Sequence, residues 1–201
     1  PMDQVVDTET AKEFMKETLD KVNEGTLAAI CDEVGQKSEW FQETLHQERV
    51  GDLSEDDLKE VFRRVFAARG KTRKALLAVP LEDMRGRFAG LLYGEDAIKQ
   101  RLDEFTDAFE EMEDNAAVDV ASELLHFTCP DRYWLWTRWI WDPRTRTGAL
   151  PLVTTAAYDY TGDTPGDIYM KVGRATAFVH EVGEAAGFQS ISRNIFGTDV
   201  F

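Results

Sequence analysis

The sequence predicts a mainly α-helical protein, a compact multi-helix domain with a loop-rich, aromatic excursion at about 130–165. Three observations predict it. Through the first 128 positions, apolar residues recur at three- and four-residue spacing between recognisable helix caps. After Pro130 the texture changes, with Pro143, Gly148, Pro151, Gly162, Pro165 and Gly166 punctuating the chain. A last helical pattern then closes it. We expect one domain over 1–201, with 1–129 as helical core, 130–165 as insertion, and 166–201 as closing helix and C-terminal segment.

The elements follow in order. In TETAKEFMKETLDKVNEG, Thr8 is the N-cap candidate, Ala11, Met15, Leu19 and Val22 share one face, and Gly25 is the stop. Residues 27 to 34 read as a short apolar turn or two, and Ser38 as the cap of a helix carrying Phe41 and Leu45. Ser54 caps a stronger one, in which Leu58, Val61, Phe62, Val65 and Phe66 repeat at helical spacing as far as Gly70. Further helices are expected at about 81–92 (Leu81, Met84, Phe88, Leu91, Leu92), 95–112 (Ile98, Leu102, Phe105, Phe109, Met112) and 116–127. VTTAAYDY is the best strand candidate in the loop-rich part, with an irregular loop as the alternative. The final helix spans about 166–186, with Ile168, Val172, Ala175, Val179 and Val182 on one face.

Composition sets limits. A chain of 201 residues with 43% hydrophobic residues is long enough to bury a real core. No apolar run approaches the roughly 20 residues that span a bilayer, so no membrane contact is expected and a cytoplasmic location is. Cys31 and Cys129 are too few for a disulfide framework and are expected as reduced thiols. Pro1 before Met2 reads as a residue left by tag removal, and the apolar ending NIFGTDVF leads us to expect one part of a longer protein.

The net charge of −15 is unevenly spread. Residues 1 to 130 carry 16 basic and 30 acidic side chains, and the remainder 7 and 8. Positions 63 to 87 nevertheless form a basic island of Arg63, Arg64, Arg69, Lys71, Arg73, Lys74, Arg85 and Arg87. The acidic whole repels nucleic acid at long range, but an island of this kind can hold a phosphate.

Chemistry-bearing residues are few. No phosphate-cradling glycine loop, nucleophile elbow or paired-cysteine zinc pattern is present, so no catalytic residue is assigned and no cofactor is expected. Glu43, His46, Glu123 and His126 form two Glu-x-x-His pairs, the spacing that di-iron carboxylate bundles use twice, with Glu9, Glu13, Glu104 and Glu184 as further carboxylates. His126 and Cys129 offer a two-ligand fragment only, and a buried histidine bonded to backbone is the stronger reading. His180 and Glu184 stand four apart and read as an exposed pair.

The segment YWLWTRWIWDP places four of the five tryptophans within eight positions. Most of these rings are expected to plug the core, while one or two remain exposed beside arginines as a contact for a partner. The residues of that contact are Arg132, Trp134, Trp136, Arg138, Trp139 and Trp141.

LLYGEDAIKQRLDEFTDAF, a connector, and then VASELLHFTCPDRYWLW resemble a helical domain associated with modification-dependent restriction systems and similar to helix-hairpin-helix DNA glycosylases. The resemblance is carried by Leu91, Leu92, Tyr93 and Gly94, by Arg101, Leu102 and Phe105, and by Ser122, Leu124, Leu125, His126, Phe127, Pro130, Asp131, Tyr133 and Trp136. It covers about a quarter of the chain and implies an all-α fold associated with DNA. The family's connector is a Gly-x-Gly hairpin, whereas here it reads EEMEDNAAVDVAS, without glycine and rich in carboxylates.

The leading expectation is therefore a non-catalytic acidic helical module, part of a larger intracellular protein or assembly, that binds a protein partner. Two alternatives stand beside it. One is a DNA-associated, glycosylase-like domain using Arg63, Arg64, Arg69, Lys71, Arg73 and Lys74; the other is a di-metal carboxylate enzyme using Glu43, His46, Glu123 and His126.

Overall fold

The computed structural model describes residues 7–21, 24–112 and 115–185. Among them run eight α-helices: α1 (Thr8–Lys21), α2 (Glu24–Thr44), α3 (Glu55–Arg64), α4 (Gly70–Leu77), α5 (Leu81–Tyr93), α6 (Ile98–Asp107), α7 (Ala116–Thr128) and α8 (Pro165–Ala185). Single 3-10 turns occupy Val50–Asp52 and Leu150–Leu152. The mainly α expectation is met. Among the described residues VTTAAYDY forms no strand: it leaves the second 3-10 turn as irregular loop.

The contacts gather into two units. One comprises the chain up to Gly35, Trp136–Asp163 and the chain from Asp167; the other comprises Gln36–Leu135 with Thr164–Gly166.

In the second unit, α5, α6 and α7 pack on one another, and the turn at Val50–Asp52 lies on α5. All thirteen residues of α7 are buried, so this helix has no solvent face. Its sequence AAVDVASELLHFT explains how: small residues on most of the first two turns admit neighbours from every side, and the larger Leu124, Leu125 and Phe127 follow. Helix α3 begins in a capping box, where Ser54 Oγ accepts from the Asp57 amide and the Asp57 carboxylate accepts from the Ser54 amide. Its apolar stripe buries Leu58, Val61 and Phe62, and Phe62 meets Phe88 of α5 edge to face.

A buried carboxylate organises this unit. Glu123, on α7, is 3% exposed. It accepts from the backbone amides of Phe66 (2.9 Å) and Ala67 (2.8 Å) and from Lys37 Nζ (3.2 Å). Lys37 in turn lies 4.0 Å from the centre of the Phe127 ring, and Ser38 Oγ donates to the Phe127 carbonyl at 2.8 Å. Three segments distant in sequence, α2, the α3–α4 turn and α7, are thus tied at one point.

A second buried network holds α5, α6 and the chain after α7. Arg101, 7% exposed, donates to the Leu91 carbonyl (2.8 Å) and to the Tyr133 hydroxyl (2.6 Å). His126 Nδ1 lies 2.8 Å from the Tyr133 carbonyl, and because a carbonyl only accepts, that nitrogen carries the proton. Gly94 is required beside this network, since a Cβ there would lie 2.5 Å from the Gly90 carbonyl oxygen and 2.9 Å from Arg101 Cδ.

In the first unit, α1 packs on the turn at Leu150–Leu152, and the Asp7 amide donates to the Val153 carbonyl at 3.1 Å. Ala11 and Met15 of α1 are buried, as are Tyr169, Val172, Ala175, Thr176, Val179 and His180 of α8.

Several local expectations are corrected. The first cap is Asp7, whose Oδ1 accepts from the Thr10 amide, and Thr8 is already helical. Gly25 stops nothing and lies in the first turn of α2. Ser38 is not a cap but a mid-helix residue of one continuous α2, its hydroxyl committed to Phe127. Helix α3 ends at Arg64 rather than Gly70, because Glu123 takes the Phe66 and Ala67 amides that would have continued it. Gly70 instead opens the unexpected α4, at φ +51°. His180, expected to be exposed, is buried. Val22, the side chain of Leu19, residue 186 and the apolar ending lie outside what is described.

Glu123→Gln keeps one acceptor oxygen but removes the charge that two amides and an ammonium share, and should cost about 2 kcal/mol, the range for hydrogen bonds to charged groups. Chemical denaturation measures it, and an unchanged midpoint would show that the tie is dispensable.

Candidate functional site

From Trp136 onward the tryptophan-rich segment folds as a tight loop inside the first unit. The Trp141 amide donates to the Thr137 carbonyl (3.1 Å), the Asp142 amide to Thr147 (2.8 Å), the Ala149 amide to Trp139 (3.0 Å) and the Leu150 amide to Ile140 (3.1 Å). Asp142 and Thr147 form an isolated antiparallel bridge. Gly148 permits this approach at φ +150°, since any Cβ there would run into the backbone of Ile140 and Trp141. Arg146 takes the left-handed conformation, φ +58°, that closes the turn. Both arms of the loop are therefore held by backbone hydrogen bonds.

The rings within it divide sharply. Trp136 is 3% exposed, donates its indole N–H to the Trp141 carbonyl at 2.9 Å, and lies 6.4 Å from the Tyr169 ring centre. Trp141 is 6% exposed and stacks on Tyr160 with ring centres 4.4 Å apart. Burial takes both out of the expected contact surface and makes them the plug of this unit. Trp139 is the opposite case at 69% exposed, next in sequence to exposed Arg138, and Leu152 further along the loop is 55% exposed. Trp134 is half-buried and Arg132 exposed, and both belong to the other unit.

Beside the plug is a cleft of about 370 Å³ lined by Trp141, Arg146, Tyr158, Asp159, Tyr160 and their neighbours. Tyr158 donates its hydroxyl to the Lys171 carbonyl (2.5 Å), and the Tyr160 hydroxyl pairs with Thr154 Oγ1 (2.8 Å). Burial pushes both phenols above their ordinary range. The Asp159 carboxylate is held down at about 2 by the hydroxyl and amide of Thr161 and by Lys171. Tyr158, Tyr160 and Asp159 all have partners within the protein, which marks them as structure, whereas the buried indole nitrogen of Trp141 has none among the described residues.

The remaining predicted residues are placed as follows. His126 is the buried, backbone-bonded histidine expected, and it does not join Glu123 in a metal site, because Glu123 is committed to Lys37 and the α3–α4 turn. Glu43 and His46 lie exposed at the end of α2, where His46 Nδ1 accepts from the Glu48 amide. Among the described residues no group of three or more His, Cys, Asp or Glu side chains is arranged to hold a metal ion. The residues of the glycosylase-like resemblance Leu91, Arg101, His126 and Tyr133 come together in the buried network described above.

The basic island folds into the end of α3, the α3–α4 turn and α4, with Arg85 and Arg87 on α5. Arg63 and Arg64 both bond to Glu60 at 2.7 Å, which holds that carboxyl down at about 2. Arg64 also lies 4.2 Å from the Trp40 ring centre, and Arg73 Nε donates to the Ala68 carbonyl at 2.9 Å. Arg69, Lys71 and Lys74 are exposed. Phe66, expected on the buried face of α3, is 56% exposed with the Arg69 guanidinium 3.9 Å from its ring centre. Periodicity alone missed it, because the helix ends two residues earlier than the apolar pattern does.

The buried tyrosines give a pH signature. Burial, and to a lesser extent Cys129, pushes Tyr93 up to about 12, with its hydroxyl donating to the Leu45 carbonyl at 2.5 Å. A phenol raised in the folded state contributes stability fully present below the unfolded value near 10 and lost as pH climbs toward about 12. Alkaline unfolding followed by tyrosinate absorbance should therefore fall in that window, and Tyr93→Phe should flatten the loss.

No helix among the described residues is long and apolar enough to cross a membrane. In comparisons with protein-family models, curated proteins and solved structures, the chain matches none.

Proposed function

We propose that this chain is a non-catalytic binding module, part of a larger cytoplasmic protein or assembly, which engages a protein partner through the loop that carries Trp139. The observation that supports this most is the contrast inside one loop: Trp136 and Trp141 are buried, while Trp139 between them is 69% exposed. Leaving a tryptophan in water forgoes several kcal/mol of burial, roughly 2 to 3 on an area basis. The Ala149 and Leu150 amides pin the Trp139 and Ile140 carbonyls and the Ile140 and Trp141 amides pin that of Thr137, so the ring is presented from a rigid support and loses little entropy on docking.

Tryptophan and arginine are the residues most enriched at binding hot spots, and Arg138 adjoins Trp139 in the chain. A net charge of −15 disfavours DNA as the partner of this loop. The free thiols of Cys31 and Cys129 suit a reducing compartment.

Trp139→Ala should change stability by less than about 0.5 kcal/mol, as surface substitutions do. It should weaken partner binding by more than about 2 kcal/mol, roughly thirtyfold. Site-specific photo-crosslinking from position 139 in cells, with identification of the captured protein and titration against both forms, tests this. Equal affinity of the two forms would remove the loop as the contact. Trp136→Ala, in contrast, should unfold or destabilise the protein by about 3 kcal/mol or more.

A further inference from the structure

We propose a second and separate binding surface: the α3–α4 turn is a stacking platform for single-stranded nucleic acid. It lies in the unit that does not contain Trp139 and does not depend on the partner of that loop.

The stretch from Val61 to Leu81 contains six cationic side chains and no carboxylate, in a chain whose net charge is −15. Glu60 engages Arg63 and Arg64, while Arg69, Lys71 and Lys74 have exposed side chains in the turn and on α4. Lys71 and Lys74 are three residues apart on α4 and so lie on neighbouring positions of one face. The first turn of α4 carries no acidic residue, and Arg69 at its N-cap supplies no side-chain cap, so the positive end of the helix adds to the same field.

Phe66, which lies between these residues in the chain, is more than half exposed, with Arg69 stacked over its ring. An exposed ring combined with a guanidinium and flanking ammonium groups is the arrangement on which an unpaired base stacks while its phosphates are held. A duplex hides its base faces, and a projecting ring offers it nothing. The platform is also rigid, because the Phe66 and Ala67 amides are held by buried Glu123, and Arg73 Nε holds the Ala68 carbonyl. Asp107, Glu110 and Glu111 face Lys71 across a cavity of about 520 Å³, so phosphates are repelled from that side and the strand follows the Phe66 side of the turn.

The test is fluorescence anisotropy with a labelled oligothymidine of about 12 nucleotides and a duplex of the same length. Single strands should bind better than duplex, and log affinity should fall with log salt at a slope of about −2 to −3, for the three or four phosphates that these cations can neutralise. Phe66→Ala should weaken single-strand binding by roughly tenfold. Arg69→Gln with Lys74→Gln should flatten the salt slope by about 1.4. Trp139→Ala should leave both unchanged. These side chains are exposed, and circular dichroism verifies the fold; Phe66→Leu, which keeps the apolar surface but removes the ring, serves if Phe66→Ala fails to fold. Absence of binding at low salt, duplex preference, or indifference to loss of the Phe66 ring would each overturn the proposal. Loss of nucleic-acid binding in Trp139→Ala would overturn the separateness of the two surfaces.

Discussion

The buried carboxylate of Glu123 is the interaction on which the larger of the two described networks turns. Its neighbours would be ill-positioned without it: two amides would lose their acceptor, and Lys37 its counter-charge. A lone buried carboxylate is costly, and here the cost is met by two backbone donors and an ammonium, itself resting on the Phe127 ring. The geometry also decides local structure at a distance. By capturing the Phe66 and Ala67 amides it terminates α3, turns the chain, and leaves Phe66 outside the core.

That interaction also marks the boundary of what the sequence could disclose. Signals carried by neighbouring residues were legible: Ser54 as a cap, the apolar spacing of α5, the start of α8, and a histidine at 126 bonded to backbone. Signals that depend on partners far along the chain were not. Ser38 read as a cap because serine near a helix start usually is one, whereas its hydroxyl is spent on a carbonyl 89 residues away. The end of α3 was misplaced for the same reason, with Glu123 some 57 residues beyond Phe66. Among the tryptophans, composition indicated that most would be buried and a minority exposed. Which ring stays out follows from the loop's backbone pairing, and that pairing depends on Gly148 and the left-handed Arg146.

The two proposed surfaces share a design. In each, an aromatic side chain is left in solvent by a backbone that is itself tightly bonded, through the loop ladder at Trp139 and through Glu123 at Phe66. Rigid presentation lowers the entropy lost on binding, so a small contact area can still be effective. Their electrical settings differ. The turn at Phe66 is surrounded by cations, and the loop at Trp139 mixes Arg138, Arg144 and Arg146 with Asp142. The first suits a polyanion, the second a surface of mixed charge.

The complete burial of α7 has a consequence for the protein's motions. A helix with no solvent face cannot fray outward or exchange its amide hydrogens by small local openings, because every opening must first separate α5 or α6 from it. The hydrogen-bonded amides of α7 should therefore exchange slowly, through openings that also separate its neighbours. The helix is equally unable to form early on its own. Buried on every side, with Glu123 and His126 bonded to other segments, it gains little until its neighbours arrive, so its assembly is expected to be cooperative with theirs.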